Sequence, residues 1–75
     1  MENYHIVKKG SEWIMKKEGS QRIIYKTNTK KEILKLAIPY AKSKGNVSLK
    51  IHKENGQFQE ERTYPKGNDP YPPRG

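Results

Sequence analysis

The chain has 75 residues, of which 31% are apolar and 32% charged, so it can hold one small domain with an economical core. It has no cysteine, which excludes a disulfide framework and a thiolate metal site and leans towards a reducing compartment. Sixteen Lys and Arg face eight Asp and Glu, and the net charge of +8 with a pI near 9.8 fits a nucleic-acid binder or a lysine-rich surface that merely keeps a small protein soluble.

The first element in chain order is residues 4 to 8 (YHIVK), β-branched and aromatic and read as a strand. Gly10-Ser11 suits a two-residue hairpin loop, and residues 12 to 17 (EWIMKK) form the returning strand. That loop fixes the register: Lys9 opposite Glu12, Lys8 opposite Trp13, Val7 opposite Ile14, Ile6 opposite Met15, His5 opposite Lys16 and Tyr4 opposite Lys17. Side chains alternate across a strand, so Tyr4, Ile6, Trp13 and Met15 share one face and His5, Val7, Ile14 and Lys16 the other. A second turn of the same kind at Gly19-Ser20 leads into a third strand at residues 22 to 26 (RIIYK). Carried through it, the pairing puts Ile23 and Tyr25 beside His5 and Ile14.

Thr29-Lys30-Lys31-Glu32 has the pattern of a capping box and starts a helix that runs to about Lys44. Gly45 supplies the left-handed stop, with Lys42 and Lys44 in the last turn. Ile33, Leu34, Leu36, Ala37, Tyr40 and Ala41 form a broad apolar stripe, and Lys31, Lys35 and Lys42 lie on the opposite side. Pro39 removes a bond to the Lys35 carbonyl and is expected to kink the helix without ending it. Val47, Leu49 and Ile51 then alternate with Ser48, Lys50 and His52 as a half-buried strand. Asn55-Gly56 signals a type I′ turn into a mostly polar fifth strand around Phe58 to Arg62, expected at an edge.

The order β-β-β-α-β-β predicts an α+β, two-layer domain over residues 1–64: an antiparallel sheet with one helix packed on one face. A Pro/Gly-rich tail follows over 65–75. Tyr4, Ile6, Trp13 and Met15 are assigned to the core with Leu34, Ala37, Tyr40, Leu49 and Ile51. One helix covers one face, so Val7, Ile14, Ile23 and Tyr25 are expected on the open face beside His5, Lys9 and Lys16. An apolar patch rimmed by cations has three readings: nucleobase stacking with phosphate neutralisation, a protein or homodimer interface, or strand propensity alone.

Catalysis finds little support. His5 and His52 are the only histidines, and neither has a metal-ligand or nucleophile spacing; they are expected to stand apart, His5 beside Lys16 and His52 at a strand end. Ser11 and Ser20 occupy turns, the glycines punctuate turns rather than build a phosphate loop, and no cofactor or metal is implied. No apolar run approaches the roughly 18 residues that span a membrane. The opening MENYHIVKKG has no signal-peptide apolar core, so a cytoplasmic protein without a membrane partner is expected. In the tail, the prolines of GNDPYPPRG force extended conformations, and three readings stand: a disordered end, a ligand for a partner's aromatic groove, or, as favoured, an arm docked on the domain through Tyr64 or Tyr71.

Tyr4-His5-Ile6-Val7, Gly10, Trp13, Met15 and Lys17-Glu18-Gly19 resemble the start of a bacterial and phage family known as domain of unknown function 2188. Leu49-Lys50-Ile51-His52, Asn55-Gly56, Glu61-Arg62-Thr63-Tyr64 and Asn68-Asp69-Pro70-Tyr71-Pro72-Pro73-Arg74-Gly75 resemble its ending more specifically. The resemblance implies a compact β-rich domain with a central helix and a tail that belongs to it. It implies no activity. Pro39 in the helix and Pro65-Lys66 before the tail motif depart from the family pattern.

The expected function is a non-catalytic basic module contacting DNA or RNA through phosphates, with candidate contacts at His5, Lys9, Lys16, Tyr25, Lys31, Lys35 and Lys42. The alternative is a protein-interaction or small regulatory protein, with a second copy of itself among its candidate partners, that meets its partner through Val7, Ile14, Ile23, Tyr25 and Tyr71.

Overall fold

A computed structural model describes residues 1–65, so Tyr71 and the tail motif lie outside the described residues. The elements are β1 (Glu2–Lys9), β2 (Glu12–Lys17), β3 (Ile23–Thr27), α1 (Lys30–Lys44), β4 (Val47–His52) and β5 (Phe58–Tyr64). They form the expected α+β arrangement, a five-stranded sheet with strand order β3-β2-β1-β4-β5 and α1 packed over β3, β2 and β4. Among the described residues no helix is long and apolar enough to cross a membrane.

The sheet is mixed rather than antiparallel. β1 pairs with β4 in parallel, from Glu2 opposite Val47 to Ile6 opposite Ile51, and the other three pairings are antiparallel. Chain direction explains it. Two hairpin reversals make β1 and β3 parallel, and a helix returning across the sheet delivers β4 in that same direction. Beside β1, β4 therefore has to be parallel, with α1 as the crossover such pairing requires.

The β1–β2 register is the one expected from the loop, Lys9 opposite Glu12 through Tyr4 opposite Lys17. Gly10 has φ +64° and Ser11 does not have a positive φ, the combination of a II′ loop. The second hairpin differs. A bulge between Met15 and Lys16 leaves Lys16 opposite Ile23 but sets Met15 opposite Tyr25 and Ile14 opposite Lys26. One extra residue, Ile24, thus swings Tyr25 from the open face to the helix side. The third turn also departs from expectation. Asn55 has no positive φ, so the loop is not type I′; Gly56 N–H donates to Lys53 O at 2.9 Å, and Gly56 carries the positive φ of +92°.

Thr29 caps α1 by accepting the Glu32 N–H at 3.1 Å, and its hydroxyl lies 3.1 Å from the Glu32 carboxylate, which takes that bond instead of reaching back to the backbone. Gly45 closes the helix, donating to Ala41 O at 2.9 Å, and Pro39 sits within it on the exposed side. Ile33, Ala37 and Ala41 recur every fourth residue and are fully buried; the two alanines let the helix approach the sheet closely. Leu36, expected in the stripe, is 43% exposed, because it lies about 100° around the helix from the centre of that row. The rest of the core is Tyr4, Ile6, Trp13, Met15, Val47, Leu49 and Ile51, with Tyr25 and Tyr40 packed at its margin.

Candidate functional site

The expected contact residues divide between the two faces of the layer. Lys31, Lys35 and Lys42 are exposed on α1, 160° to 200° around the helix from Ile33 by about 100° per residue. His5 and Lys16 are on the other side of the sheet, half-buried, and Lys9 is exposed at the end of β1. A single flat partner cannot touch both groups.

Tyr25 belongs to neither group. Its ring meets Tyr40 edge-on at 5.8 Å and 87°, and Tyr40 meets Tyr4 edge-on at 5.7 Å, forming an aromatic row between α1 and the sheet. It therefore cannot stack a base or a partner on the open face as expected. At the end of this row the Tyr4 hydroxyl donates to Glu2 Oε1 at 2.7 Å and lies 3.5 Å from the Tyr40 hydroxyl. Burial above all, then the neighbouring Tyr40 and Glu2 oxygens, hold the Tyr4 phenol well above its ordinary pKa. The same bond, helped by Lys17 and Lys44, lowers that of Glu2.

The open face is less apolar than the sequence suggests. Ile14 is on that face and absent from the helix-side cluster, but it is only 3% exposed. Its neighbours are Val7, Lys26, Glu12 and Lys16, and the Lys26–Glu12 ion pair at 3.9 Å stands beside it, so long polar side chains shield it with their stems. Val7 is half-buried, and Ile23 is 44% exposed at the β3 edge.

That face instead carries a polar chain which the sequence does not suggest. His5 and His52, expected apart, meet because β4 lies beside β1. His5 Nδ1 is 2.9 Å from His52 Nε2. His5 Nε2 donates to Glu18 Oε1 at 2.8 Å, and His52 Nδ1 lies 3.2 Å from Gly56 O. Lys50, opposite His5, approaches the same Glu18 oxygen at 3.7 Å. The His5 bond first, then Lys50, lower the Glu18 pKa. Phe58 closes the far side, edge-on to His52 at 6.0 Å. A groove lined by His5, Val7, Lys16, Gln21, His52 and Gly56 opens over this chain. A sequence signal for the meeting exists in the parity of the strands: once β4 is parallel to β1, His5 and His52 are on the same face, one diagonal step apart.

Ionic pairing divides the cations in another way. Lys8, Lys17, Lys26, Lys44, Lys50 and Arg62 each have a carboxylate within 4 Å. Lys31, Lys35 and Lys42 have none among the described residues; neither does Lys30, which lies over the Trp13 ring, nor Lys9, Lys16, Arg22 and Lys53, which are scattered over the open face and the turns.

A family described as an uncharacterised protein conserved in bacteria matches residues 4–64, nearly all of the described chain. No curated protein and no solved structure matches.

Proposed function

We propose a function for this chain, which belongs to the bacterial family known as domain of unknown function 2188, from its surface alone: it is a non-catalytic module that binds nucleic acid through the phosphates. The observation that supports this is the row of unpaired lysines on α1. Lys31, Lys35 and Lys42 fall within about 40° of one another around the helix and span about 16 Å along it. Their side chains are exposed, and none of the described carboxylates lies within 4 Å of them. Lysine is a point charge, and no Arg, Asn or Gln accompanies these three on α1. Recognition therefore runs through phosphate charge and counterion release, with weak sequence preference.

The alternative, a protein or self-association surface on the open sheet face, has less to rest on. With Ile14 covered and Tyr25 on the helix side, the large apolar groups still exposed there are Ile23 and Phe58, at opposite edges of the sheet.

Titrating a labelled duplex and a labelled single strand with the full chain tests the reading. Three phosphate contacts give a log–log salt slope of about −2.7, or roughly 40-fold weaker duplex binding at 200 mM than at 50 mM salt. No binding at the lower salt, or binding insensitive to salt, rejects it.

A further inference from the structure

The His5–His52 contact is a problem in hydrogen bonding before it is a site. A carboxylate and a backbone carbonyl can only accept, so the tautomers that satisfy both the Glu18 and the Gly56 contacts carry hydrogen on His5 Nε2 and His52 Nδ1. In neutral imidazoles this strips the other two nitrogens. His5 Nδ1 and His52 Nε2 then point bare lone pairs at each other across 2.9 Å, an arrangement that is favourable only with a shared cation. Imidazoles held at the far nitrogen by a carboxylate or a backbone carbonyl, with the near nitrogen free to coordinate, are also the arrangement of histidine metal ligands, and both rings have it.

We propose that His5 Nδ1 and His52 Nε2 form a two-histidine site for a divalent transition metal ion of the zinc, nickel or copper type. Imidazole nitrogen selects these ions over magnesium and calcium, which require oxygen. Two nitrogens on one tetrahedral ion at 2.0–2.1 Å stand about 3.3 Å apart, so the near nitrogens part by about 0.4 Å and each ring tilts by roughly 35° to aim its lone pair at the ion. The imidazoles are fixed on adjacent strands, His5 in β1 and His52 in β4, and the groove above them admits solvent. Among the described residues no third His, Cys, Asp or Glu completes a closed set, so the remaining positions belong to water or to a group brought by a bound molecule. Glu18 is a positioning residue. It orients His5 and holds the hydrogen at Nε2, and its charge offsets Lys50. The site is on the face opposite Lys31, Lys35 and Lys42, so it stands or falls independently of nucleic-acid binding.

The test uses the untagged full chain and zinc chloride alone. Competition with a chromophoric chelator is expected to show one ion per chain, with binding lost in His5→Ala and in His52→Ala and weakened 10- to 100-fold in Glu18→Gln. Magnesium at the same concentration produces no competition. Nitrogen-15 spectra of the wild-type imidazoles make the test independent of how the variants fold. Zinc is expected to shift His5 Nδ1 and His52 Nε2 while His5 Nε2 and His52 Nδ1 keep their protons. The absence of saturable binding, shifts at the opposite nitrogens, or binding that survives both alanine variants overturns the proposal and leaves the shared cation as a proton.

Discussion

Replacing Tyr25 by Ala separates the observed register from the one a plain hairpin would impose. On the open face, the residue would carry little energy and its loss would stay within about 0.5 kcal/mol, as for most surface substitutions. The bulge opposite Met15 places it instead against Tyr40, edge-on at 5.8 Å and half-buried. Truncating a fully buried Phe or Trp costs about 3–5 kcal/mol. A half-buried ring loses roughly half of that, about 2 kcal/mol, and edge-to-face pairing alone contributes about 0.5–1.5 kcal/mol. For a domain of this size each kcal/mol moves the melting temperature by roughly 4–8 °C, so a fall of about 8–16 °C is expected by circular dichroism. Lys26→Ala is the matched control, since Lys26 takes the place opposite Ile14 that Tyr25 would have had. Equal, small shifts for the two variants would refute both the bulge and the side it gives to Tyr25.

Other outcomes follow from the same packing. Ile33→Ala, fully buried near the start of α1, should cost about 2–5 kcal/mol in urea unfolding, whereas Leu36→Ser one turn away should be near neutral. Thr29→Ala should cost about 1 kcal/mol through the lost cap and lower helicity at fixed temperature. Glu2 and Glu60 have folded-state pKa values below their ordinary 4.5 (Tyr4 being the main cause for Glu2, Arg62 for Glu60), so their contribution is present above pH 4.5 and fades as pH falls through the lowered values. Urea midpoints should drop below pH 4.5 and do so less in Glu2→Gln. Tyr4 has the opposite sign. Its folded pKa is raised, so its contribution is intact below pH 10 and lost as pH rises further. Ultraviolet titration should find one phenol that ionises only as the fold opens, and Tyr4→Phe should remove that phase.

The parts of the fold legible in the sequence are those set by neighbours. Gly10-Ser11 determined the whole β1–β2 register, and Thr29 with Glu32 located the start of α1, because each involves residues only a few positions apart. The parallel partnership of β1 and β4 was also within reach, since strand direction follows from counting reversals, but the choice of edge depends on which edge buries more apolar surface. The β3 bulge had no such signal: Arg22-Ile23-Ile24-Tyr25 reads as a regular strand in either register, and the packing of Tyr25 on Tyr40 decides between them. The His5–His52 contact joins residues 47 positions apart and exists only given the strand order, so nothing local announces it. The helix lysines are plain from the 3.6-residue period alone, whereas their lack of carboxylate partners depends on where the fold puts the seven described glutamates.

The salt dependence of duplex binding in the Lys31→Gln, Lys35→Gln, Lys42→Gln triple variant bears most directly on the role of that helix. Gln is nearly as good a helix former as Lys, so the fold should be retained. If the three ammonium groups meet phosphates, the log–log slope should become shallower by about 2.7 relative to wild type. A triple variant that folds and keeps the wild-type slope would contradict the proposed binding face.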